Sequence, residues 1–175
     1  MEGTKIGDFY HNVTARYNGY FNAREKLKEA EEKLYLAQIE NFNRLLPIFI
    51  IPDDTKAKSL KTDMDVIIKK CATVIRKHPD SKWVDDCYLL IAKAHYYKRD
   101  FFAAKEAFEY VVNNFPTTGS AQSANLWIVR TLMEMGKLKE AQGQLSAINT
   151  QKDFPEELNP QKWLVEADYY IRAND

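Results

Sequence analysis

The sequence predicts an all-α fold: a right-handed α-α superhelix of stacked helical hairpins, opened by one long N-terminal helix. Three observations lead there. The pairs His78-Pro79 and Phe115-Pro116 each close a helical pattern, and they stand 37 residues apart. On either side of them apolar residues recur at spacings of three and four, the period of a helix with one buried face. Only six Gly and six Pro occur, and they fall between the periodic segments, where helix punctuation belongs.

The elements follow in order within a single domain spanning residues 1–175. Residues 8–79 read as a first hairpin built on a long helix. From about Asp8 to Leu46 the pattern is helical and free of Pro, with Val13, Tyr20, Leu27 and Leu34 recurring every seven residues and Ala23, Ala30 and Ala37 beside them. Large residues alternating with Ala let two helix backbones approach closely. The run from Arg24 to Lys33 supplies i,i+4 charge pairs for a solvated face. A packing seam within the chain explains this better than a dimeric coiled coil, because the heptads cover only part of the helix. Asp65 to His78, with Val66, Ile67, Cys71, Val74 and Ile75 on one side, closes the hairpin. Residues 85–116 then carry Tyr88, Ile91, Ala92 and His95 on a first helix and Ala104, Phe108 and Val111 on a second, before Pro116. Residues 122–149 repeat this in phase. Leu126, Ile128, Val129 and Leu132 come first, Gly136 makes the turn, and Leu138, Ala141, Leu145 and Ile148 follow. Residues 160–175 supply a terminal helix or half-repeat, with Trp163, Ala167 and Tyr170 expected on its packing face. No partner helix follows it, so the array is expected to stop part-way through a hairpin.

The 85–116 unit closely resembles the tetratricopeptide repeat (TPR), which places a large, an aliphatic, a small and an aromatic residue on its first helix and Ala, Phe, Ala and Pro on its second. Of the eight positions only His95 departs in character, standing where the motif has Tyr. The resemblance implies a concave face built from first-helix residues. In the two repeats these are Asp86, Leu89, Lys93, Tyr96 and Tyr97, then Ser123, Leu126, Arg130, Met133 and Glu134. Lys93 and Arg130 would stack on one face among Tyr96, Tyr97 and Met133, a surface suited to a protein segment. The plainer alternative has the tyrosines packing on the first helix and the cations solvated. The Lys/Asn carboxylate clamp of chaperone-binding repeats is not reproduced by Leu89, Lys93, Leu126 and Arg130.

Composition narrows the function further. Twenty-five basic residues balance twenty-five acidic ones, which gives no footprint for nucleic acid and no polybasic membrane contact. Cys71 and Cys87 lack a CxxC or Cys/His grouping, so buried free thiols are expected rather than zinc or a disulfide. His11, His78 and His95 share no ligand spacing. Asp53-Asp54, Asp85-Asp86 and Glu156-Glu157 sit at loop or helix-start positions, where they suit the helix dipole. Asn12-Val13-Thr14 matches a glycosylation sequon, a short pattern of little weight. No phosphate loop, nucleophile elbow or zinc signature occurs. The expectation is a non-enzymatic chain without catalytic, cofactor or metal residues, without a small-molecule substrate, and with other proteins as partners. Residues 1–8 hold no apolar signal segment, and the run Leu45-Leu-Pro-Ile-Phe-Ile-Ile51 is too short to span a bilayer; the chain is expected to be soluble.

The opening Phe9-Tyr-His-Asn-Val-Thr-Ala-Arg-Tyr-Asn-Gly-Tyr-Phe-Asn-Ala23, with Leu45-Leu-Pro-Ile48, Ile68-Lys-Lys-Cys71 and the stretch from Trp83 to Asp100, resembles the tetratricopeptide lipoproteins of Bacteroidota associated with gliding motility and type IX secretion (SprE/PorW-like). The resemblance implies an N-terminal fragment of an outer-membrane lipoprotein. It would face the periplasm and scaffold the secretion machinery, with its lipid anchor outside this chain. A BamD-like or other outer-membrane assembly lipoprotein, or a generic TPR adaptor, is the alternative.

Overall fold

The computed structural model describes Val13, residues 19–39, Asn43 and residues 45–174. The expected helix start at Asp8, His11, the sequon positions Asn12 and Thr14, and Asp175 lie outside the described residues. Among those residues there are seven α-helices and no strand: α1 Phe21–Leu36, α2 Asp54–Lys77, α3 Val84–Tyr97, α4 Phe101–Asn114, α5 Gly119–Glu134, α6 Leu138–Asn149 and α7 Asn159–Asn174. Each helix packs on the next, and α1, α3, α5 and α7 also touch in series. The odd-numbered helices thus form one layer and the even-numbered helices back it.

The first helix is shorter than its pattern suggests. Ala23, Leu27, Ala30 and Leu34 are buried as the heptad requires, but α1 stops at Leu36 instead of Leu46. Leu34 is its last buried residue; Ala37 is exposed, and Leu36 and Ile39 stand in solvent. Beyond Leu34 no residue of α1 is buried, and short helices rest on tertiary packing. That partner is longer than expected. α2 begins at Asp54 rather than Asp65, with the Asp53 carboxylate accepting a hydrogen bond from the Lys56 amide at 2.8 Å. This cap is worth ~1 kcal/mol. Its buried stripe of Ala57, Leu60, Met64, Ile67, Cys71 and Val74 keeps helical spacing throughout. Lys26 of α1 meets Asp63 of α2 at 2.8 Å. Gly19 lies so close to α2 that a Cβ there would fall 2.0 Å from Val74 Cγ2.

The two repeats share one turn. After α3 the Asp100 amide donates to the His95 carbonyl and the Arg99 amide to the Tyr96 carbonyl; after α5, Lys137 and Gly136 donate in the same way to Leu132 and Met133. These are Schellman closures. They place Arg99 at φ 62° and Gly136 at φ 72°. Behind the turns, Ala104, Phe108 and Val111 of α4 and Ala141, Leu145 and Ile148 of α6 are buried. Each large side chain among them contributes ~1.5–3 kcal/mol.

The terminal helix turns another face inward than expected. Trp163, Ala167 and Tyr170 are exposed, while Val165, Asp168 and Tyr169 are buried. Val165 and Tyr169 join the core, and an ion pair ties the helix to α5. Arg172 reaches Glu134 of α5 at 2.7 Å and Asp168 at 3.1 Å. Burial works against the Arg172 charge, but the two carboxylates more than restore it, and its pKa is raised. Cys71 and Cys87 are both buried and free. Contact with Cys71, with burial added, pushes the Cys87 thiol well up, so it stays protonated.

Candidate protein-binding groove

The odd-numbered layer frames a cavity of about 470 Å³. α1 contributes Glu31, Leu34 and Tyr35 to its wall, with Gln38 just beyond its end, α3 Lys93 and Tyr97, α5 Leu126, Trp127 and Arg130, and α7 Gln161 and Val165. The remaining wall is the segment from Leu46 to Ile50, which runs without helix or strand beside the layer.

With the outer positions Ser123 and Glu134 set apart, four of the eight remaining residues of the expected face meet here: Lys93, Tyr97, Leu126 and Arg130. Repeat register explains the cations, since Lys93 and Arg130 lie 37 residues apart on successive first helices. The Lys93 ammonium is 5.0 Å from the Trp127 ring centre. The Arg130 guanidinium is 3.9 Å from Trp127 and 3.8 Å from Phe49. Neither cation makes an ion pair among the described residues. Arg130 Nε is buried and has no hydrogen-bond partner among them. Burial lowers the pKa of Lys93, with nearby Arg130 pressing the same way and Glu31 opposing.

The other four sit elsewhere. The Asp86 carboxylate accepts a hydrogen bond from Ser120 Oγ at 2.8 Å. Burial raises its pKa against that bond. Leu89 and Met133 belong to the core. Tyr96 has no exposed surface; its ring packs edge-on against Tyr97, Phe101 and Trp127. Burial pushes its phenol up to about 12. Tyr97 is also a packing residue, donating its hydroxyl to Glu31 at 2.8 Å across to α1. For the tyrosines, packing on neighbouring helices is what the structure shows. Of the two outer positions, Ser123 is half-buried and Glu134 belongs to the Arg172 ion pair.

Sequence reasoning missed Trp127 and the 46–50 wall. Trp127 could have been found, because it precedes Arg130 by three residues and so shares its helical face. Among the described residues no group of three His, Cys, Asp or Glu side chains could hold a metal ion. No described helix is long and apolar enough to cross a membrane.

A two-layered stack of helical hairpins with a side-chain-lined groove on one layer defines a helical-repeat protein of the interaction class, whose members are typically non-catalytic. The family model for the tetratricopeptide repeat-like domain matches residues 13–162, most of the chain, and the chain belongs to that family. A search of curated proteins returns no match.

Proposed function

We propose that this chain is a non-catalytic scaffold that holds another protein against the groove on its odd-numbered layer, with Lys93 and Arg130 as the contact residues and Tyr97 and Leu126 as the wall behind them. The observation that carries this reading is the pair of cations over Trp127. Two charges are kept close together, partly withdrawn from water and, among the described residues, without a carboxylate in ion-pair distance. Stability alone gives little reason for such an arrangement. A partner supplying acidic or aromatic side chains completes it. Asp86, Leu89, Tyr96 and Met133 then act from behind, by fixing α3 and α5.

The finer reading is that of an envelope scaffold of the gliding-motility and type IX secretion kind, anchored through lipid outside this chain on the periplasmic face of the outer membrane. It rests on the resemblance of the opening residues and of the stretch from Trp83 to Asp100. The test is an affinity capture with crosslinking from the native cells, using the wild-type protein and Lys93→Glu/Arg130→Glu. The wild type should recover secretion or gliding components, and the charge-reversed protein, with unchanged helicity, should lose them by about tenfold or more. Unchanged recovery would overturn the assignment of the groove. Recovery of β-barrel assembly factors instead would overturn the secretion reading in favour of a BamD-like one.

A further inference from the structure

The run from Leu45 to Ile51 is the most apolar stretch of the chain, yet it forms neither helix nor strand. It lies beside the groove as a strap. Its downstream end is fixed: Pro52 is fully buried, its carbonyl accepts from Arg99 Nη1 at 3.0 Å, and Asp53 caps α2. Its upstream end is open to solvent, with Leu45 74% and Leu46 42% exposed. Between them Ile48, Phe49 and Ile50 are half-buried. Among the described residues no backbone–backbone hydrogen bond ties residues 45–52 to anything. Within the strap, the Phe49 ring lies against the Arg130 guanidinium, with 3.8 Å between them.

A segment anchored at Pro52, without a backbone–backbone hydrogen bond among the described residues and with Phe49 against Arg130, is held in the manner of a docked peptide. We infer that residues 45–51 are a removable wall of the groove, with Phe49 seated where an aromatic side chain from an extended segment of a partner protein docks, and that the partner displaces them by swinging the strap about Pro52. The inference rests on the reading of the Lys93–Arg130 face as the contact surface and adds the chemistry of what binds there. When Phe49 leaves, the guanidinium of Arg130 loses one of its three neighbouring rings, and Trp127 and Tyr96 remain. A ring from the partner takes the vacated place. Because the strap competes, the apparent affinity of the intact chain is lower than that of the open groove by the fraction of molecules with the strap released.

The test uses a synthetic peptide of residues 43–54 as the probe, titrated calorimetrically into three full-length proteins. These are the wild type, a variant with residues 45–51 replaced by a Gly/Ser linker of equal length, and Phe49→Ala. The linker variant should bind the peptide about tenfold or more tightly than the wild type, with Phe49→Ala between them. Adding Arg130→Ala to the linker variant should abolish the gain, and a scrambled peptide should not bind. Should the linker variant fail to fold, Phe49→Ala carries the test alone, since it truncates only a half-buried side chain. Equal affinity of folded open and wild-type proteins, or equal binding of the scrambled peptide, would overturn the inference. If that happens while Lys93→Glu/Arg130→Glu still loses the cellular partner, the strap reading falls and the contact surface stands. If charge reversal leaves capture unchanged, the surface reading falls first.

Discussion

Arg99 and Gly136 occupy the same place one repeat apart, in left-handed backbone that costs a side-chain-bearing residue about 1 kcal/mol. Gly136 meets that demand through its missing Cβ. Arg99 meets it through its partners, since its guanidinium joins the Pro52 carbonyl at 3.0 Å and Asp54 at 2.9 Å. Gly136→Ala therefore isolates the backbone term, because nothing lies within 4 Å of the added Cβ. It should destabilise the protein by about 1 kcal/mol, read as a fall in Tm of about 2–4 °C. Gly136 was legible as a turn from its position between two periodic segments. The matching Arg99 was not, because the contacts that hold it come from residues 52–54, far away in sequence.

Among the elements, the first hairpin shows what periodicity reveals and what it hides. The seam of Ala23, Leu27, Ala30 and Leu34 could be read from the seven-residue recurrence. The end of α1 could not, because the helical pattern runs on past its last buried residue, Leu34. The early start of α2 had a signal in Asp53 as a cap and in Ala57, Leu60 and Met64 at helical spacing. Acid should loosen this hairpin selectively. A hydrogen bond from Lys26 holds the Asp63 carboxyl below its ordinary 3.8, with the charges of Lys26 and Lys33 adding to the effect. Its contribution is complete above the unfolded value and is lost as pH falls through the depressed folded value. Asp86 acts in the opposite sense: burial raises its pKa, so its contribution is lost as pH rises through the folded value. Thermal unfolding between about pH 4 and pH 2 should therefore show a stability loss that Asp63→Asn makes smaller.

At the scale of the whole molecule, stability is carried by contacts between neighbouring helices, joined through one aromatic cluster. Phe108 of α4 stacks on Trp127 of α5 at 5.7 Å, and Trp127 meets Tyr96 of α3 at 5.1 Å. Phe108→Ala opens a cavity where three helices meet and should cost about 3–5 kcal/mol. Because the cluster spans both repeats, urea unfolding followed by circular dichroism should remain a single transition at a lower midpoint. A second, separate transition would show that the repeats unfold independently. The hairpin stack was readable from the 37-residue period. Which face of α7 turns inward was not, because repeat register pointed to Trp163 and Tyr170, while Val165 and Tyr169 join the core and Arg172 pairs with Glu134 of α5. The same limit applied to the groove. Lys93 and Arg130 could be placed from the repeat, whereas the wall facing them comes from a segment with no period at all.

The three tryptophans lie in three unlike surroundings. Trp163 is 60% exposed on α7, Trp83 stacks on Tyr20 at 4.9 Å near the first hairpin, and Trp127 is shielded between the cations of the groove. The protein thus carries its own set of optical reporters, one each for the terminal helix, the first seam and the groove. Emission from Trp163 is open to quenching by dissolved iodide, while that of Trp127 answers to the guanidinium beside it. Departure of the strap can be followed in the unlabelled chain as a change of colour and lifetime at a single indole.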